Sequence, residues 1–96
     1  MPFCTLLEWD SGFDPERYQE LNERAGTHKK LPEGCLARIV GLVQSGARVI
    51  EVWESEEHAE RFSEQNTPLI REVNIPPPTG VAAFETMIFQ ARASRS

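Results

Sequence analysis

The 96 residues suffice for one domain with one modest core. With 40% hydrophobic and 26% charged residues the composition is that of a globular chain, and no apolar run approaches the roughly 20 residues that cross a membrane. A formal charge of −5 excludes a nucleic-acid partner, because phosphate backbones are met by a basic patch.

The one basic cluster, His28-Lys29-Lys30, reads as a solvated loop. The opening MPFCTLLEWD lacks a basic region, apolar run and small-residue cleavage site, so a cytoplasmic location is expected. Cys4 and Cys35 have neither a CxxC spacing nor a histidine pair nearby, which argues against zinc. They read as small buried hydrophobes.

Phe3 to Trp9 (FCTLLEW) reads as a strand with apolar residues on both faces. Asp14 as N-cap, Pro15 in the first turn and Gly26 as terminator predict a helix from Pro15 to Ala25, with Phe13 stapled to Tyr18. Cys35 to Val43 is a second strand in which Arg38 is the one charge, and Gln44-Ser45-Gly46 turns the chain into a third, Ala47 to Glu54. Ser55 caps a second helix from Glu56, whose stripe is Ala59, Phe62, Asn66, Leu69 and Val73. Pro68 lies inside that stripe and predicts a kink, or a restart capped by Thr67. After the extended NIPPPTG crossing, Val81 to Phe89 is a fourth strand. The domain is expected to occupy residues 1–90, with a flexible tail at 91–96.

The order βαββαβ predicts an α+β ferredoxin-like fold, an antiparallel four-stranded sheet with both helices on one face. Two helices cover one face only, yet all four strands carry apolar residues on both, so a homodimer through the open sheet faces is expected. The first two strands are not neighbours in this fold. Cys4 and Cys35 are then about 10 Å apart, beyond the roughly 7 Å that a disulfide spans.

The stretch Val49-Ile50-Glu51-Val52-Trp53-Glu54-Ser55 with Ala59 and Phe62, Pro32 and Gly34 before the second strand, and Ile75 to Pro78 before the fourth resemble the dimeric α+β barrel proteins of the antibiotic-biosynthesis monooxygenase-like type. The chain is similar in particular to small actinobacterial members of unknown function. The resemblance implies a dimeric α+β barrel with a small-molecule cavity between sheet and helices. It also implies chemistry without metal or flavin, such as oxygenation, isomerisation or cyclisation of an aromatic or polyketide-like substrate. Phe62 stands where the family often has a histidine.

Ile50 and Val52 form the more apolar face of the third strand and are expected against the helices. Glu51 and Trp53 then point to the open face, together with Arg38, Glu85 and Met87. An apolar pocket of roughly 300 Å³ or more with a few orienting polar groups is the usual small-molecule site. In that reading Trp53 and Tyr18 shape it, Arg38 orients a carbonyl or phenolate, and Glu51 or His58 moves a proton. Each residue also has a plainer role. Arg38 and Glu51 suit a cross-strand ion pair, Trp53 a core or interface position, Tyr18 the staple, and His58 the surface. A noncatalytic ligand-binding or stress-related dimer is the alternative to an enzyme.

Overall fold

The computed structural model describes residues 1–92. The elements are β1 (Phe3–Trp9), α1 (Pro15–Ala25), β2 (Cys35–Val43), β3 (Gly46–Trp53), α2 (Glu56–Glu72) and β4 (Gly80–Glu85). The strands pair antiparallel in the order β2-β3-β1-β4. This is the ferredoxin-like βαββαβ arrangement expected from the sequence. Among the described residues no helix is long and apolar enough to cross a membrane.

Local chemistry sets the helix ends. The Asp14 carboxylate accepts from Glu16 N, and Gly26 closes α1 in the left-handed conformation, its N–H directed at the Asn22 and Glu23 carbonyls. Phe13 packs on Tyr18 with ring centroids 5.3 Å apart. This places Tyr18 on the sheet-facing side of α1, where it is buried. Ser55 caps α2 by accepting from His58 N. The restart expected at Pro68 does not occur, because α2 runs unbroken through it. Glu64, whose carbonyl loses its partner to the proline, is exposed to solvent, and the Thr67 hydroxyl donates to Ser63 O at 2.8 Å.

The expected assignment of faces is reversed. Ala47 and Val49 pack with Trp9, Tyr18, Leu21 and Val73, while Trp53 packs with Phe3, Cys35 and Ala59. The helices therefore cover the face that carries Glu51, and Ile50 and Val52 lie half-exposed on the other. Burial of a large aromatic explains the choice. Hiding Trp53 removes about 150–250 Å² from water, far more than separates Val49 from Ile50 or Val52. The accompanying cost of burying Glu51 is reduced by polar neighbours on the same face.

β4 stops at Glu85 rather than Phe89 because its partner runs out. Glu85 is in register with Phe3, the first residue of β1, and the last link is Thr86 N donating to Pro2 O at 2.7 Å. Met87 thus lies beyond the sheet. Ala91 and Arg92 have no regular structure, and the rest of the tail expected at 91–96 lies outside the described residues.

The open face carries Leu6, Ile50 and Ile39 in one cross-strand row and Phe84, Cys4, Val52 and Ala37 in the next. Ile39 is 61% exposed and Phe84 49%. Arg48 closes one end of this face through Glu8 at 3.2 Å and Asp10 at 3.0 Å. Cys4 is in register with Val52 and Cys35 with Trp53, so the two free thiols point to opposite faces of the sheet.

Candidate functional site

Register brings the polar residues of the helix side into one row. Thr5 on β1 and Arg38 on β2 flank Glu51 on β3. All three point toward the helices, where Tyr18 descends from α1 and Asn66 from α2. The Tyr18 hydroxyl accepts from Arg38 Nη2 at 2.5 Å, and the Arg38 guanidinium carbon lies 5.6 Å from the Tyr18 ring centroid. Arg38 Nε approaches Glu51 Oε2 to 3.4 Å, but without the direction a hydrogen bond requires, so the contact is one of charge. On its other side Glu51 accepts weakly from the Thr5 hydroxyl at 3.4 Å, and Thr5 Oγ1 accepts from the Trp53 indole N–H at 3.3 Å.

The side chains of Arg38 and Glu51 are 13% and 8% exposed. At such burial desolvation rivals the attraction between the charges. Burial pushes the Glu51 carboxyl above its ordinary value of 4.5, with Arg38 and then Thr5 acting in the opposite sense. Burial also raises the Tyr18 phenol, opposed by Arg38.

Two adjoining cavities of about 50 and 200 Å³ share Leu7, Glu51, Phe62, Asn66 and Ile70 as walls. Tyr18 and Arg38 line the smaller, and Thr5, Trp53 and Val81 the larger. Val81 is 66% exposed and marks the open side, toward β4. The larger cavity is below the roughly 300 Å³ of an ordinary small-molecule site, and Arg38 borders only the smaller one. The result is a narrow apolar cleft with a cation, a carboxyl and an amide along its length.

Tyr18, Arg38, Glu51 and Trp53 are therefore brought together, and Arg38, Glu51 and Trp53 lie on the helix side rather than on the open face expected from the sequence. The other three are not. His58 lies on the far side of Phe62, its Nδ1 2.7 Å from Ser55 Oγ and its Nε2 3.7 Å from the Glu54 carboxylate. Its ring packs over Gly34, whose φ of 80° and lack of a side chain admit it; a Cβ there would collide with the imidazole. Glu85 shares the face of Trp53 by register but stands exposed at the end of the edge strand, and Met87 is 84% exposed beyond it.

Asn66 and Thr5 were missed as site residues. The Asn66 side-chain carbonyl is buried and has no hydrogen-bond partner among the described residues, in a position that borders both cavities. An unpaired buried acceptor is costly. The signal was present in the sequence, since Asn66 is the one polar member of the apolar stripe of α2.

Neither a family model nor a curated protein matches the chain at the level of sequence. Solved structures do match its fold. A single-site mutant of SnoaB, a cofactor-independent oxygenase from Streptomyces nogalater, superposes with a TM-score of 0.67 at 10% identity, covering 95% of this chain and 98% of that one. Rv0793 from Mycobacterium tuberculosis gives 0.65 at 13% identity over 95% and 100% of the two chains. An antibiotic biosynthesis monooxygenase gives 0.59 at 19% identity over 92% and 100%. The chain has the fold of the antibiotic-biosynthesis monooxygenase-like structures.

The raised Glu51 carboxyl has a consequence for stability. The folded chain holds this proton more tightly than the unfolded chain does, so the contribution is fully present below about pH 4.5 and is lost as pH rises through the folded value. Glu51→Gln cannot ionise. Its stability relative to wild type is therefore expected to be constant below that range and to increase as pH rises through it. Thermal melts of both proteins between about pH 4 and pH 8 check this; a difference that is flat or falls with pH contradicts the environment described for Glu51.

Proposed function

We propose that this protein is a homodimeric enzyme that converts a small apolar molecule, aromatic or polyketide-like, in the cleft between sheet and α2 without metal or flavin. The observation that carries this reading is the Glu51 carboxyl, buried in the cleft wall between Arg38 and Thr5 and bordered by the unpartnered Asn66 carbonyl. The fold shared with a cofactor-independent oxygenase supports it as an analogy.

Removing a proton beside a carbonyl, or from a phenol, leaves an enolate or phenolate. This is a common first step for isomerisation, cyclisation and reaction with dioxygen. Glu51 is the base in this reading, its raised pKa bringing it closer to the pH at which it must both accept and return the proton. Proton transfer moves negative charge from Glu51 to the substrate oxygen while Arg38 stays beside both. The net charge in the cleft is unchanged, so no new buried charge has to be stabilised. Tyr18 holds the guanidinium from its other side, and Asn66 accepts a hydrogen bond from the substrate.

The dimer completes the fold. Residues 1–90 form one domain whose open face presents Leu6, Ile39, Ile50, Val52 and Phe84 together, an apolar surface of a kind that monomers seldom leave exposed. A second copy supplies the same apolar surface and buries both.

Native mass spectrometry identifies the small molecule retained by the protein, and turnover of that molecule is then measured. Glu51→Gln is expected to lower turnover by about 100-fold or more while retaining binding; a wild-type protein that binds without converting is a carrier, which contradicts the enzyme reading. Sedimentation equilibrium at micromolar concentration is expected to give twice the 10.9 kDa chain mass, and Ile39→Glu to shift it toward the monomer. A wild-type mass near 10.9 kDa contradicts the dimer.

A further inference from the structure

Four cavities meet at one side chain. Phe62 borders both parts of the inner cleft, a space of about 20 Å³ beside His58, and an outer groove of about 400 Å³ between the end of α1, the loop that follows it and α2. The ring is half-buried and, among the described residues, has one aromatic neighbour, Trp53, with centroids 5.3 Å apart and planes tilted by 39°. Trp53 is almost wholly buried and fixed, so it is Phe62 that can move. A rotamer change at a half-exposed phenylalanine needs no backbone adjustment and is fast.

The spaces on the two sides of Phe62 differ in character. The inner one is apolar and, at about 200 Å³, too small for most ligands of the class expected from its walls. The outer one is larger and lined in part by Thr27, Lys30, Glu33 and Gln65. Lys30 and Glu33 are of opposite sign, which favours a neutral polar group there over an ion.

We propose that Phe62 is a movable partition and the main determinant of ligand length. The ligand places an apolar ring system beside Glu51 and Trp53, passes the displaced Phe62 ring, and ends in a neutral polar group such as a hydroxyl or amide in the outer groove. This inference rests on the inner cleft being the binding site, and it adds the shape and the far end of the molecule bound there.

The test uses two fluorescent probes on the full chain, naphthol for the inner cleft alone and a naphthyl ether with a six-carbon hydroxyalkyl tail for both spaces. Wild type is expected to bind the tailed probe about tenfold more tightly than naphthol. Phe62→Trp, which enlarges the partition, is expected to abolish that gain. Gln65→Trp, an exposed position that borders the outer groove and not the inner cleft, is expected to abolish the gain as well while leaving naphthol affinity within about twofold. Naphthol binding with no gain from the tail overturns the partition and leaves the inner-cleft site standing. So does an equal loss for both probes in Gln65→Trp. Failure of naphthol to bind wild type overturns the inner-cleft site, and the partition with it.

Discussion

The approach of Arg38 to Glu51 across β2 and β3 is the interaction on which the rest of the molecule turns. It puts two opposite charges on the face of the sheet that the helices cover, at side-chain exposures of 13% and 8%. The surroundings are built to tolerate this. Tyr18 takes one guanidinium nitrogen, Thr5 contributes its hydroxyl to the carboxylate, and Trp53 in turn donates to Thr5. As a device for stability such a pair is poor, because replacing it with apolar side chains is often neutral or favourable. Its presence at the wall of a cleft, beside an amide oxygen with no partner among the described residues, is what the proposed function rests on.

Much of the fold was legible because its signals are local. Asp14-Pro15, Gly26 and Ser55 set helix ends through backbone capping, and alternation in FCTLLEW and CLARIVGLV marks strands whatever their surroundings. The association of Arg38, Glu51 and Trp53 on one face was also legible, since parity along a strand survives without tertiary information. What parity leaves open is which face the helices choose. That was decided by the burial of Trp53, which outweighs the advantage of Ile50 and Val52 over Val49 and draws Glu51 inward with it. The end of β4 was illegible for a related reason. Val81 to Phe89 alternates throughout, but the length of a strand at the sheet edge is limited by β1, whose register with β4 ends at Phe3 with one further link at Pro2 O.

The candidate site was legible in part. Tyr18 could be placed from the staple and Arg38 from its isolation in an apolar strand. His58 looked attractive as the histidine of a regular element, yet its position near the N-terminus of α2 turns it toward Ser55, Glu54 and Gly34. Asn66 was overlooked because it was counted only as one more member of the stripe of α2. A polar residue that preserves the phase of a buried helix face is itself a signal, since its desolvation must be compensated by a neighbour or by a ligand. The solved structures of the same fold, at 10–19% identity, underline the separation of levels. Architecture persists where the individual side chains have changed, so the chemistry rests on the residues of this chain.

The central claim is that ligand binds on the helix side, in the cleft walled by Glu51, Asn66 and Phe62. Amide chemical-shift mapping by NMR during titration with naphthol tests it directly. The account predicts that perturbations concentrate at Thr5, Glu51, Asn66 and Val81, with the amides of Glu33 and His58 little changed. Perturbations centred instead on Ile39, Leu6 and Phe84 place the ligand on the open sheet face and contradict the account.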